Sequence, residues 1–254
     1  MQTVSRLTVG PVKGLAVHHP EEIRIERGGV PGNRQFLLLD ETGRLFSGLR
    51  NGKLVTVRPE YRREPERLAL RFLDGTVVED EIRLGEALTV DLWDVPRPSH
   101  LVEGPFAEAL SDLVGKPLRL VRVDAEGGGW DERPVSLLSE ASLEELGRRS
   151  GRAGPVDGRR FRMLVTVGGT APHEEDRWIG RDVRLGEAVV RVVETCVRCA
   201  TTTQNPDTGV RDLDTLREIP AYRGFADGKH VEFGVLADVA EPGTVRVGDP
   251  VEPL

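Results

Sequence analysis

Residues 183–209 read VRLGEAVVRVVETCVRCATTTQNPDTG, and the first seven of them bear most on the fold. A branched residue is followed by an arginine, an aliphatic residue, a glycine, an acid, a small residue and a second aliphatic. This order predicts a strand that turns tightly at the glycine and returns as a second strand, with the arginine outward and its neighbours inward. The pattern recurs as IRLGEAL at 82–88 and as VRVGDPV at 245–251. The intervals between copies, 183 − 82 = 101 and 245 − 183 = 62 residues, are unequal, so the copies read as equivalent β corners and not as a solenoid. Working outward, RQFLLLD, RLFSGL, KLVTVRP, RLALRFLDG, TVVED and ALTVDLWDV are short branched or alternating runs punctuated by Gly, Pro, Asn and Asp. ETG at 41–43 reads as a hairpin turn. Many short strands with tight turns suggest barrels. The expected class is mainly β with a few short helices (α+β).

Helices enter after the prolines at 96, 98 and 105. Phe106, Ala109, Leu110, Leu113 and Val114 fall on one helical face, which Gly115 and Pro117 end. PVSLLSEASLEELGRRSG (134–151) reads as the clearest helix, capped by Ser139 or Ser142, with Glu145 at a capping-box distance from Ser142. A short helix is expected near DLDTLREI (212–219). DAEGGGWDERP (124–134) reads as a mobile loop, because consecutive glycines order poorly. FRMLVTV, RDVRLG, AVVRVVET, EFGVLADV and TVRVGDPV read as further strands. The expected division is an N-terminal β-barrel-like domain over 1–98 and a second β-barrel domain over 99–254.

Composition narrows the function classes. The chain has 254 residues, enough for one large or two small domains. Its 35 Lys+Arg against 42 Asp+Glu leave a net charge of −7, which argues against a general nucleic-acid binder. No apolar run approaches the roughly 18 residues of a membrane span. The opening residues carry no apolar signal core, so a cytoplasmic protein is expected.

Two cysteines, Cys196 and Cys199, stand in C-x-x-C spacing. A thioredoxin-like pair would need the first cysteine at a helix N-terminus, but AVVRVVET before it reads as a strand. A zinc site would need two more ligands, and neither an H-x-x-x-H pair nor a second C-x-x-C exists. A single thiolate binding a soft metal or carrying sulfur remains, with Arg198 favouring the thiolate and Thr201 to Thr203 supplying hydroxyls. A buried, inert pair also remains. Lys13, Arg34 and Arg50 lie in glycine-rich turns, and Arg159, Arg160 and Arg162 crowd one strand entrance. Such cations can fork onto phosphate or carboxylate, or can stand solvated at an edge.

Taken in order, these segments resemble a known family. PVKGLAV, GGVPGNRQFLLLDETGRLFSGLR and KLV, then PVSLLSEASLEEL, RRFRMLVTV, HEEDRWIGRDVRLGEAVVRVVETCVRCATTTQNPDTG and FGVLADVAEPGTVRVGDPV, are similar to proteins with a MOSC domain preceded by the MOSC N-terminal β-barrel domain. Within that group the resemblance runs to amidoxime-reducing components and their bacterial relatives. It implies a molybdenum cofactor, Mo-molybdopterin, with Cys199 as the protein ligand to the metal. It also implies Lys13, Gly14, Arg34, Ser139, Arg162 and Arg198 around the pterin and its phosphate, with Thr201 and Asp207 lining the metal pocket. The implied activity is reduction of N-hydroxylated or N-oxide-type small-molecule substrates, with electrons from a separate electron-transfer protein, since two cysteines cannot hold an iron–sulfur cluster. A sulfur carrier or cofactor-handling protein using a cysteine persulfide is the alternative, and a non-enzymatic module for a phosphorylated ligand is a third. The chain departs from the family where Met163-Leu164 replace Pro-Asn, where Gly14 replaces a frequent Ser, and at Ser47-Gly48-Leu49-Arg50, which reads as a one-residue insertion.

Overall fold

The computed structural model describes residues 1–254. Its N-terminal half contains β1 (Thr3–Leu7), β2 (Glu22–Ile25), β3 (Phe36–Asp40), β4 (Arg58–Arg63), β5 (Glu66–Arg71), β6 (Val77–Glu81), β7 (Arg83–Leu92) and β8 (Val95–Glu103). Helix α1 (Phe106–Val114), β9 (Leu118–Val123), β10 (Val135–Ser139) and α2 (Glu140–Arg149) follow. The chain continues through β11 (Val165–Gly168), β12 (Asp182–Leu185), β13 (Ala188–Val197), α3 (Thr215–Arg223), β14 (Glu232–Glu241), β15 (Gly243–Arg246) and β16 (Val251–Pro253). The protein is mainly β with three short helices, as the punctuated runs predict.

A seven-stranded sheet in the order β1-β11-β10-β14-β13-β12-β16 curls into a nearly closed barrel. A bridge between Thr3 and Pro250, and a hydrogen bond from Val251 N to Gln2 O (3.0 Å), bring its two edges together. Its interior holds Leu7, Val135, Val165, Val190 and Val235 with Trp178. Strand β2 pairs with β15, so the first 25 residues are tied into the C-terminal half. The remaining N-terminal strands form β3-β9-β8-β7 and β4-β5-β6. Between those sheets, α1 inserts Phe106 and Leu110 against Phe36, Leu54 and Leu68. On the other flank of the barrel, α2 and α3 cover a core of Leu143, Leu146, Phe161, Ile219 and Phe233. No helix is long and apolar enough to cross a membrane.

The corner reading holds at two of its three sites. Gly186 (φ 55°) turns β12 into β13, and Gly248 (φ 92°) passes the chain from β15 to β16, which pair with different strands. At 82–88 the chain does not turn: β7 runs straight through Gly85, with only a bulge between Leu84 and Ala87. Leu84 is exposed there, so no apolar interior pulls the chain into a corner.

Five further expectations need correcting. The first half of PVSLLSEASLEELGRRSG is the strand β10, every residue of it buried. An interior strand of a barrel reads as a continuous apolar run and is not separable from a helix by periodicity. Ser139 caps α2 by accepting a hydrogen bond from Ser142 N, whereas Glu145 pairs with Arg148 and Arg149 and closes no capping box. KLV lies in a 3-10 turn (Gly52–Thr56), and the strand expected over FRMLVTV begins only at Val165, because Arg162 takes a left-handed φ of 55°. Finally, Gly127, Gly128 and Gly129 are buried, not mobile. A Cβ on Gly127 would overlap the Val30 carbonyl, and one on Gly129 the Arg34 carbonyl. These glycines let two backbones touch.

Candidate functional site

Three cations from distant parts of the chain meet beside one carboxylate. Lys13 follows the β1 region, Arg34 precedes β3, and Arg162 precedes β11. Lys13 Nζ lies 2.7 Å from Asp131 Oδ1 and donates to Gly129 O (3.0 Å). Arg34 Nη1 lies 3.1 Å from Asp131 Oδ2. Arg162 is largely enclosed and forms no hydrogen bond or ion pair, although its charge is felt at Lys13. Three cations against one carboxylate leave two positive charges uncompensated, which matches the charge of a phosphate monoester. Arg34 (φ 51°) and Arg162 (φ 55°) both sit in the left-handed region. Holding a non-glycine residue there costs on the order of 1–3 kcal/mol, a strain typical of functional sites.

The electrostatics follow from burial. Burial, reinforced by Arg34 and Arg162, brings Lys13 down to about 8, against the attraction of Asp131. Burial would push Asp131 up, but the Lys13 and Arg34 charges outweigh it and hold the carboxyl at about 2. Burial and the like charge of Arg34 bring Arg162 down to about 10. The unfolded chain keeps the Lys13 proton up to 10.5 and the folded chain only to about 8, so this group's contribution to stability rises with pH across that window. Anion affinity moves the other way. Calorimetric titration with inorganic phosphate is expected to show about tenfold weaker binding at about pH 9.5 than at about pH 7, the loss of one charge-assisted hydrogen bond. Lys13→Arg should flatten that dependence; an unchanged wild-type affinity across the window would exclude Lys13 as a contact.

Gly14 (φ 88°) lies where a Cβ would stand 3.1 Å from Ser47, so the turn at Ser47-Gly48 closes over it. Gln204 Nε2 donates to Gly48 O (2.5 Å), and the buried Gln204 Oε1 has no partner. Beside it the chain forms Cys199 and a 3-10 turn, Ala200–Thr203. Cys199 is exposed, and its thiol lies 3.4 Å from Thr201 Oγ1. Cys196 is on β13 against the α2–α3 core, and burial pushes its thiol up. Both cysteines are free. No α-helix starts at Cys196, so the thioredoxin arrangement is not formed.

Thr201, Gln204, Asp207 and Arg162 line a cavity of about 370 Å³ between the two halves, with His18, Arg58 and Leu73 on the opposite wall. Asp207 receives both terminal nitrogens of Arg159 at 2.8 Å. Arg160 is engaged by Asp212 (2.6 Å) and Thr203 O (3.1 Å). Of the three crowded arginines, therefore, only Arg162 keeps a free guanidinium.

Two residues expected at the site face elsewhere. Ser139 is fully buried, its hydroxyl held by the α2 cap and by Ser142 Oγ (2.5 Å). The Arg198 guanidinium points inward, to Phe233 O (2.8 Å), Phe161 O (3.2 Å) and Met163 Sδ (2.7 Å). Met163 and Leu164, the departure from the family pattern, are both core residues. Arg50 pairs with Asp40 at the surface. Asp131 and Trp93 were not singled out in the sequence, although Trp93 Nε1 donates to Asp131 Oδ1 (2.6 Å). An acid two residues after a buried glycine run, with Trp130 between, is the one local signal for Asp131.

The MOSC domain family model matches residues 124–252, and that of the MOSC N-terminal beta barrel domain matches residues 1–117. Mitochondrial amidoxime-reducing component 1 of Mus musculus is 38% identical over 129 residues, 48% of this chain and 36% of that protein. The Homo sapiens protein of the same name is 36% identical over 129 residues, 48% of this chain and 37% of that one. The match thus spans little more than a third of those relatives' length. The molybdenum cofactor sulfurase of Oryza sativa subsp. japonica is 24% identical over 267 residues, 91% of this chain and 32% of that protein.

Proposed function

The chain belongs to the MOSC domain family, and on that premise we propose that it is a molybdenum cofactor-binding oxidoreductase acting on N-hydroxylated or N-oxide-type small molecules. One observation carries the reading: an exposed thiol, Cys199, lies 3.4 Å from the hydroxyl of Thr201, and Thr201 lines a cavity together with an unpaired arginine of the cation cluster, Arg162. The residues fit the group. Lys13, Arg34 and Arg162 would hold the phosphate, with Gly14 leaving the backbone open to it, and Cys199 would ligate the metal, since a thiolate suits a soft, thiophilic centre. When bound, the cofactor supplies two-electron reduction with removal of a substrate oxygen.

The chain's own residues do the rest. Asp131 keeps Lys13 and Arg34 oriented at 2.7 and 3.1 Å while leaving the cluster cationic. The Cys199 thiol donates to Thr201 Oγ1 (3.4 Å), which ties the sulfur to a residue of the cavity wall. Arg159 fixes Asp207 at the cavity rim, where its carboxylate can accept a hydrogen bond from a substrate N–H or O–H. Two cysteines are too few for an iron–sulfur cluster, so the electrons would come from a redox centre outside these 254 residues, supplied by a separate electron-transfer protein in this reading.

The exposure of Cys199 also suits a persulfide-carrying cysteine, the second reading. Molybdenum and pterin content of protein from a cofactor-proficient host supplied with molybdate decides between them. Near one molybdenum and one pterin per chain is the expected result. Pterin without metal, together with cyanide-labile sulfur on Cys199, would select the carrier. Folded protein with neither, which also fails to take up added cofactor, would sink both.

A further inference from the structure

We infer that Trp93 is a stacking platform for the planar ring of the ligand whose phosphate occupies the Lys13–Arg34–Arg162 cluster. The ring is the pterin if the proposed function holds, and the inference rests on that reading for the ring's identity. Three observations carry it. Trp93 and Asp94 form the two-residue tip between β7 and β8, with φ of 58° and 63°. Tips of that geometry favour Asn-Gly or Asp-Gly, because both residues take positive φ. An indole there is a strained choice, and no fold requirement of the hairpin calls for it.

The side chain is also 66% exposed, although burying a tryptophan is ordinarily among the largest apolar gains a chain can make. Most of its face is open to a ligand. The other two tryptophans are occupied: Trp178 is buried in the barrel core, and Trp130 lies under the Arg97 guanidinium (4.2 Å) with its N–H on Gly28 O.

The third observation is position. Trp93 Nε1 donates to Asp131 Oδ1 at 2.6 Å, the same oxygen that Lys13 Nζ approaches at 2.7 Å. The indole is therefore pinned by its edge at the boundary of the cation cluster. A ligand with its anionic group on Lys13, Arg34 and Arg162 and a flat ring beside it would meet the indole face. Stacking of a heteroaromatic ring on an aromatic side chain is lost as roughly 5- to 100-fold in affinity on truncation to alanine.

The test uses the full chain, free of cofactor, with three probes: a pterin monophosphate, adenosine monophosphate and inorganic phosphate. Affinity and tryptophan emission are read together. The pterin monophosphate is expected to bind at least about tenfold tighter than phosphate and to quench emission. Trp93→Ala should remove that advantage and the quenching. Trp93→Phe, which keeps an aromatic face but loses the N–H to Asp131, should retain most of the advantage. Equal loss in both variants would make the indole a mere clasp on Asp131 and overturn the inference, as would a ring that adds nothing over phosphate. Tighter binding of adenosine monophosphate, still dependent on Trp93, would leave the platform standing and strike the pterin assignment and the proposed function instead.

Discussion

Cys199→Ala is expected to lower the molybdenum content of the purified protein at least about tenfold. Removing outer partners of a metal ligand already costs about 10–100-fold in affinity, and a direct ligand costs no less. Pterin should fall less than metal, because Lys13, Arg34 and Arg162 still offer two uncompensated charges to its phosphate. Reduction of an N-hydroxylated substrate should fall with the metal. Cys196→Ala is the internal comparison. Its sulfur packs against the α2–α3 core and its thiol is pushed up by burial, so it is a poor thiolate at neutral pH. That variant should keep its molybdenum within about twofold while losing some stability, as a small core truncation does. Elemental analysis of the three proteins, prepared side by side, reads the result. Wild-type metal content in Cys199→Ala, or loss confined to Cys196→Ala, would remove Cys199 from the centre.

The second large effect concerns a residue with no side chain. Gly129→Ala is expected to destabilise the fold by about 3 kcal/mol, the upper range for overpacking a close-packed region. The added Cβ would overlap the Arg34 carbonyl, a backbone atom that cannot swing aside. Gly129 O is also the second acceptor of Lys13 Nζ. The substitution therefore disturbs two of the three cations at once, and phosphate affinity should fall together with stability. For a chain of this size, that loss corresponds to a melting temperature lower by roughly 6–12 °C. Gly154→Ala, where nothing lies within 4 Å of a Cβ, should stay within about 0.5 kcal/mol of wild type. Thermal unfolding of both variants checks the pair. Equal, small shifts would show that the glycine run is loose after all.

What could be read from the chain alone divides along physical lines. The helix at Phe106–Val114 was legible because its face, its stop at Gly115 and its following proline all lie within a dozen residues. The turn after Asp40 was legible for the same reason, with Gly43 N bonding back to Asp40 O. Lys13, Arg34 and Arg162 could be suspected as cations at turns, but their meeting could not, because Asp131 lies about a hundred residues from either N-terminal partner and beyond a strand pair. β10 was misread because burial on both faces erases the alternation that marks a strand. The glycine run was misread because composition reports backbone freedom and not what the backbone touches. Arg198 shows the converse. It stands next to Cys199 in sequence, yet the strand geometry of β13 sends its guanidinium to two core carbonyls and the Met163 sulfur.

The pairing of β1 with β11 sets an order of events during synthesis. Thr3–Leu7 leave the ribosome well before their partner, Val165–Gly168, which emerges some 160 residues later. At about 5–20 residues per second, the first strand waits on the order of 10 s without its partner. Such distant pairing is slow to form and keeps a strand edge open in the meantime. Lys13 lies just after that waiting strand and Arg162 just before its partner. The cation cluster is thus assembled by the same late closure of the barrel, so the three cations cannot meet before Arg162 has been synthesised.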